Sequence, residues 1–275
     1  MSKKINTQNK SKEKTSMKPT NGKDFSIKIG KHEFDKEKLL NVLKMMLTAR
    51  TVDNKAMNLL RQGKTFFHIA GAGHEAVQLA IGLSLDQSKD WLFPYYRDLA
   101  TVLTAGVTPE EVFLGTFGKA NDPASGGRQL PVHWGSTRIN IPSQSSPTGT
   151  QYLQAVGTAL ASVKRGERNI SYVSSGEGTT SQGEFHEAVN WASREKLPVL
   201  FVIQNNKYAI SVHVSNQTGG KDSSIAEMME GFHNLHRTRI DGTDFFQSYE
   251  KIQEAIEYIK SGKGPALIEA DVVRL

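Results

Sequence analysis

The sequence predicts an α/β fold, a doubly wound parallel sheet flanked by helices, and two observations carry that prediction. Short apolar strands alternate with amphipathic helices through the second half of the chain, the order that produces parallel pairing. Between Tyr172 and Ser211 the chain also reads as one strand, one helix and a second strand, with oxygen-bearing side chains after each strand. At 275 residues the chain is long enough for one large domain with a substantial core.

The elements follow in order. Asp35 caps a long helix through Leu60, a second helix runs from about His74 to Leu83, and a third follows Tyr96. Thr108-Pro109-Glu110-Glu111 is a capping box with proline at the first helical position, and it opens a helix to Phe117. Tyr152 to Lys164 is the next helix. Ile170 to Ser174 is a strand. Ser181 with Glu184 three residues on forms a second capping box, so a helix starts there and carries Phe185, Ala188, Val189 and Ala192 at helical spacing. Pro198 introduces a strand from Val199 to Gln204. A helix near Ile225 to Phe232, a strand at Thr238 to Ile240, a helix from Asp244 to Lys260 and a strand at Ala266 to Val273 complete the pattern.

The first strand of the Tyr172–Ser211 unit runs into Gly176-Glu177-Gly178. Glycines there let the backbone pass close to a phosphate, and Glu177 offers a hard carboxylate. The N-terminus of the following helix points its dipole at the same anion. Twenty-six residues separate Gly178 from Asn205, enough for one helix and one strand, so Asn205 and Asn206 arrive beside the glutamate at the carboxyl edge of the sheet. The unit suits Mg²⁺ plus a diphosphate. A nicotinamide dinucleotide site is an alternative, but Ser181 stands where that motif has glycine or alanine, and the second strand ends in amides rather than an acid. Alone, Gly-Glu-Gly reads as a surface turn; the paired asparagines change the balance.

From about Lys38 to Leu275 these residues resemble the α subunit of the thiamine diphosphate-dependent 2-oxo acid dehydrogenase E1 component. The resemblance implies that Gly176, Glu177 and Gly178 bind the cofactor, and that Glu177, the Asn206 side chain and the Tyr208 carbonyl ligate Mg²⁺, an all-oxygen set of the kind Mg²⁺ requires. Phe93-Pro94-Tyr95-Tyr96-Arg97-Asp98 matches a family stretch in which Tyr96 and Arg97, with Tyr95 beside them, meet the diphosphate. Arginine suits that role through its planar fork of donors. The alternative is an Arg97–Asp98 pair on a solvated helix. Ser145-Ser146-Pro147-Thr148-Gly149-Thr150-Gln151 is similar to a segment bordering the cofactor ring and a potassium ion. By that resemblance Ser146 and Thr148 touch the cofactor, and Ser145, Pro147, Thr150 and Gln151 line a K⁺ site; without it the stretch is a loop with capping groups. The chain departs from the family at Thr148, where a bulkier residue is usual, and at Gly149, where alanine is. Gly126 to Ser136 resembles a stretch at the active-site entrance, where His133 is a candidate for positioning substrate or relaying a proton. The alternative for His133 is a packed structural histidine. Phe66-Phe67-His68-Ile69 is either part of a substrate wall or core.

Composition bounds the rest. The net charge of +6 comes from residues 1–31, where nine lysines face two acids, so the remainder is close to neutral and the charge is no argument for nucleic acid. That stretch reads as a disordered Lys/Ser-rich tail, and 32–275 as the cofactor-binding domain. No span reaches the roughly 18 apolar residues of a membrane helix, which predicts a soluble protein. The absence of cysteine excludes disulfides, thiolate metal sites and a catalytic thiol, and is compatible with the cytoplasm. Relatives continue past a segment like Pro265 to Asp271 into a loop with a catalytic histidine, so the chain reads as truncated or as a fragment of an α–β fusion. The resemblance further implies oxidative decarboxylation of a 2-oxo acid, with an E1 β subunit contributing the activating glutamate and lipoyl-E2 receiving the acyl group. Gly-Glu-Gly leans towards branched-chain substrates, with pyruvate and acetoin open. The rivals are a non-catalytic cofactor-holding subunit and an NAD-dependent oxidoreductase.

Overall fold

The computed structural model describes residues 25–275, and the chain divides into two units at Asn41. Within the first unit, β1 (Ser26–Ile29) and β2 (His32–Asp35) pair antiparallel with Ser26 opposite Asp35. The hairpin corrects the boundary of the expected tail, because residues 26–29 alternate Ile27 and Ile29 with polar neighbours and form a strand. Residues 1–24 of that tail lie outside the described residues. α1 (Lys36–Arg61) begins as expected, with Asp35 Oδ1 accepting the Lys38 N–H at 2.8 Å.

The second unit continues with α2 (Glu75–Ser84), β3 (Trp91–Phe93), α3 (Leu99–Ala105), α4 (Pro109–Thr116), α5 (Thr150–Lys164), β4 (Ser171–Gly176), α6 (Gly183–Glu195) and β5 (Val199–Asn205). A small hairpin, β6 (Tyr208–Ala209) with β7 (Val212–His213), precedes α7 (Ile225–Met228), β8 (His236–Asp241), α8 (Phe245–Lys260) and β9 (Ala266–Asp271). Five strands form one all-parallel sheet in the order β3-β4-β5-β9-β8. Every residue of β5 is buried, as in a strand covered on both faces.

On one face Val173, Phe201 and Ile203 pack with α5 and α6, whose alanines (Ala155, Ala159, Ala188, Ala192) let the helices approach closely. Tyr152 and Phe185 meet there with ring centroids 5.1 Å apart. On the other side α2 packs against α3 and α8, and α8 against β5, β8 and β9.

The Thr108 capping box forms as expected: Thr108 Oγ1 accepts the Glu111 N–H at 3.2 Å and Glu111 Oε2 accepts the Thr108 N–H at 2.7 Å. The second box does not. Residues Glu177–Ser181 make a 3₁₀ turn, and α6 starts only at Gly183 behind Gln182, which gives no side-chain cap. α7 is a single turn ending at Met228 rather than at Phe232, and β9 ends at Asp271 rather than Val273. Among the described residues no helix is long and apolar enough to cross a membrane.

Candidate functional site

β4 and β5 run side by side with Gly176 opposite Gln204, so the residues that follow each strand emerge together. Glu177 comes first after β4 and is only 1% exposed, with Oε2 accepting the Asn206 N–H at 3.2 Å. Burial raises its pKa, against the pull of the neighbouring backbone N–H groups and of the charges on Arg97 and Lys207. Asn206 Oδ1 accepts the Tyr208 N–H at 3.2 Å, an Asx turn that carries the chain into β6. A Cβ on Gly178 would lie 2.4 Å from the Ala209 Cβ, so only glycine lets β6 close over the Gly-Glu-Gly turn. Glu177 thus meets the Asn206 N–H where two adjoining strands end, and the three expected metal ligands would supply a carboxylate, an amide oxygen and a backbone carbonyl. This hard, all-oxygen set fits Mg²⁺. Among the described residues no three His, Cys, Asp or Glu side chains converge into a different metal cluster.

The two asparagines divide their work. Asn205 is fully buried, donating to Glu269 Oε1 at 2.8 Å while its Oδ1 accepts the Lys207 N–H at 3.0 Å, so it fixes the turn while the backbone N–H of Asn206 meets Glu177. Lys207 sits in the left-handed region at φ 75°, and its ammonium is tied to Asp271 at the end of β9. Asp271 also accepts from Arg239 Nε at 2.8 Å. Burial pushes Asp271 upward, but the hydrogen bonds from Arg239 and Lys207 more than reverse this, and its pKa is lowered.

Across the turn lies the Tyr95–Asp98 segment. The Tyr95 ring is buried, within 4.0 Å of where a Cβ on Gly176 would stand, and 4.9 Å from the Tyr96 ring centroid. Burial keeps its hydroxyl protonated by pushing its pKa well above the ordinary range. Arg97 donates through Nη1 to the Ala70 carbonyl and lies 5.5 Å from the Tyr96 ring centroid, a cation–π distance. The solvated Arg97–Asp98 pair is not formed, because Asp98 is fully buried and accepts instead from Tyr172, Ser174, Gln204 and the Tyr95 N–H.

His133 is buried. Its Nε2 lies 2.9 Å from Ser146 Oγ and its Nδ1 3.1 Å from the Pro131 carbonyl. The next residue, Trp134, donates Nε1–H to the Tyr95 carbonyl at 2.9 Å, which joins this loop to the Tyr95 segment. His133, Trp134, Leu130 and Asp122 line an open cleft. Ser146, Pro147 and Thr148 are exposed at its approach. The other expected ion-site residues are engaged locally: Thr150 Oγ1 donates to the Pro147 carbonyl at 2.9 Å, and Gln151 bridges the Gly149 N–H and the Ser174 carbonyl at 3.1 Å each. Ser145 is half-buried in the same loop.

Sequence reasoning left His74, in Gly73-His74-Glu75-Ala76, open between substrate wall and core, and passed over Gln78, Gln204 and Glu269, polar residues beside buried apolar neighbours whose misfit was the available signal. Glu269 accepts from Asn205, from Ser224 Oγ at 2.6 Å and from the Ala226 N–H at 3.0 Å. His74 is fully buried with Nε2 unpartnered, and burial lowers its pKa to about 4.

Comparison with known proteins yields a family profile described as "Dehydrogenase E1 component", which matches residues 43–275. The chain is 39% identical over 239 residues to 2-oxoisovalerate dehydrogenase subunit alpha of Bacillus subtilis, covering 87% of this chain and 72% of that protein. It is 36% identical over 243 residues to 3-methyl-2-oxobutanoate dehydrogenase subunit alpha of Mycobacterium tuberculosis, covering 88% and 62%. With pyruvate dehydrogenase E1 component subunit alpha of Staphylococcus aureus the identity is 34% over 238 residues, covering 86% and 60%. The chain thus spans 72%, 62% and 60% of the lengths of these relatives.

Proposed function

Because this chain belongs to the dehydrogenase E1 component family, we propose that it is the α portion of a 2-oxo acid dehydrogenase E1, acting on a branched-chain 2-oxo acid. The identity to the proteins named for 2-oxoisovalerate and 3-methyl-2-oxobutanoate (39% and 36%) supports the branched-chain substrate over pyruvate (34%). The observation that carries the reading is the buried Glu177 carboxylate, hydrogen-bonded at 3.2 Å to the Asn206 N–H across two adjoining strand ends.

Bound thiamine diphosphate supplies the electron sink for decarboxylation of the 2-oxo acid. Glu177, the Asn206 amide oxygen and the Tyr208 carbonyl hold the Mg²⁺ that neutralises its diphosphate, and Gly176 and Gly178 let the phosphates approach the backbone. Arg97 and Tyr96, with Tyr95 packed behind them, donate to phosphate oxygens. Ser146 and Thr148 would border the ring, His133 would orient substrate in the cleft, and Ser145, Pro147, Thr150 and Gln151 would be the residues to hold K⁺. A β-type subunit contributes the activating glutamate, and lipoyl-E2 takes the acyl group.

Calorimetric titration of thiamine diphosphate with Mg²⁺ and with EDTA, alone and beside a β-type subunit, tests the reading. Metal-dependent binding that tightens with the partner is expected. Binding of NAD without metal, or no binding in any condition, would overturn it. Cofactor binding without decarboxylation in the presence of the partner would instead mark a non-catalytic, cofactor-holding subunit.

A further inference from the structure

Behind the Tyr95–Arg97 arm runs a buried chain of hydrogen bonds that none of the roles above uses. Asp98 Oδ2 accepts from the Tyr95 N–H (3.3 Å), the Tyr172 hydroxyl (2.9 Å) and the Ser174 hydroxyl, and its Oδ1 accepts from Gln204 Nε2 (2.6 Å). Gln204 Oε1 accepts in turn from Gln78 Nε2 and His74 Nδ1, both at 2.9 Å. Gln78 Nε2 also donates to the Arg97 carbonyl (2.9 Å), and its Oε1 takes the Ala100 N–H (3.0 Å). None of these four side chains is more than 1% exposed.

Two features give the chain its meaning. It grips the arm at both ends, by the amide of Tyr95 and the carbonyl of Arg97, and it is anchored in Gln204, two residues before Asn206. Its polarity is also fixed. Burial raises the pKa of Asp98 to about 6, so above that pH its carboxylate is ionised and only accepts, and Gln204 must turn its amide nitrogen towards it and offer its oxygen to the donors on His74 and Gln78. Burial lowers the pKa of His74 to about 4, which keeps the ring neutral with its one proton on Nδ1 when it makes this bond.

We infer that Asp98 and Gln204 are positioning residues for cofactor binding, setting the Tyr95–Arg97 arm against the Glu177–Asn206 strand ends through the fixed polarity of this chain. The inference rests on the diphosphate and Mg²⁺ reading above and deepens it.

Exchange of the two groups tests it. In Asp98→Asn the shape is kept but an amide nitrogen faces the Gln204 nitrogen, donor against donor. Gln204 must then rotate, and Gln78 loses its acceptor. In Gln204→Glu two carboxylates face each other across the 2.6 Å contact. The double variant, Asp98→Asn combined with Gln204→Glu, restores a donor–acceptor match at every link with unchanged shape and total charge. Mg²⁺-dependent binding of thiamine diphosphate, measured calorimetrically with the β-type subunit present, is expected to weaken at least about tenfold in each single variant, the worth of about one buried hydrogen bond, and to return to within about threefold of the parent in the double. Gln78→Met leaves the Asp98–Gln204 pair intact but releases the Arg97 carbonyl together with the Ala100 N–H and one donor to Gln204 Oε1, and is likewise expected to weaken binding about tenfold. Thermal unfolding of each cofactor-free variant is read alongside. Singles that bind like the parent, a lowered Tm with an unchanged Kd, a double no tighter than the weaker single, or a Gln78→Met chain of parental affinity each overturn the inference. If the parent chain itself fails to bind, the underlying cofactor reading falls with it, which separates the two failures.

Discussion

Glutamine in place of Glu177 removes one charge from the centre of the site and almost nothing else. The side chain is 1% exposed, and an amide oxygen can still take the Asn206 N–H now held at 3.2 Å. The folded-state pKa of Glu177 is raised by burial, so the folded chain holds that proton more tightly than the unfolded one. Its contribution to stability is therefore complete below the ordinary glutamate value and is lost as pH rises through the raised folded value. At neutral pH the cofactor-free protein carries the cost of a buried charge, which glutamine relieves. The expected result is a cofactor-free Tm that holds or rises by up to about 4 °C, corresponding to about 1 kcal/mol in a domain of this size. Affinity for Mg²⁺ with thiamine diphosphate should move the other way, weakening about 100-fold or more, about 2.7 kcal/mol, since even residues that merely orient a ligand are worth 10- to 100-fold. Protons and metal compete for the same carboxylate, so parental affinity should fall more steeply than that of the variant as pH is lowered through the raised pKa. Scanning calorimetry and titration calorimetry across pH read both effects. Parental affinity in the variant, or a pH dependence as steep as the parent's, would refute the assignment of Glu177 as a metal ligand.

Three further outcomes are expected. Gly178→Ala places a methyl group 2.4 Å from the Ala209 Cβ and should cost about 1–3 kcal/mol in urea unfolding, with Ala209→Gly in the same chain recovering most of it; an unchanged midpoint would show that β6 has room to shift. Arg97→Lys loses the planar fork and should weaken thiamine diphosphate binding about tenfold with a steeper loss in salt, and titrations at two ionic strengths decide the point. Thr108→Ala removes the side-chain half of the α4 capping box and should cost about 1 kcal/mol in thermal unfolding, leaving cofactor affinity at the parental value.

What could be read from the sequence depended on how far apart the interacting groups are. The Thr108 box involves partners three residues apart, so its pattern sufficed. The Ser181–Glu184 pair has the same spacing, yet the chain spends Glu177–Ser181 on a 3₁₀ turn that presents Glu177 to Asn206, and tertiary geometry overrides the local signal. The β4–α6–β5 unit and the meeting of Glu177 with Asn206 were legible because one helix and one strand have predictable length. Asp98 was not. Its neighbour Arg97 suggested a surface pair, whereas its partners Tyr172, Ser174 and Gln204 stand 74, 76 and 106 residues away. The β1 strand was obscured by lysines, although Ile27 and Ile29 alternate as a strand should.

The tie between Lys207, Asp271 and Arg239 has a mechanical side. Lys207 follows β5, Asp271 closes β9 and Arg239 lies in β8, three adjacent strands, so the tie runs across the sheet like a guy-line from its outer edge to the turn that bears Asn206 and Tyr208. Each ion pair is about one-third exposed and so worth only about 0.2–1 kcal/mol, and the two together are comparable to the cost of about 1–2 kcal/mol of holding Lys207 at φ 75°. Because the pKa of Asp271 is lowered, the line is taut above the ordinary aspartate range and goes slack as pH falls through the lowered value, releasing both cations at once. The edge strand is thus linked through Asp271 to the turn after β5, and acid breaks both links at that one residue.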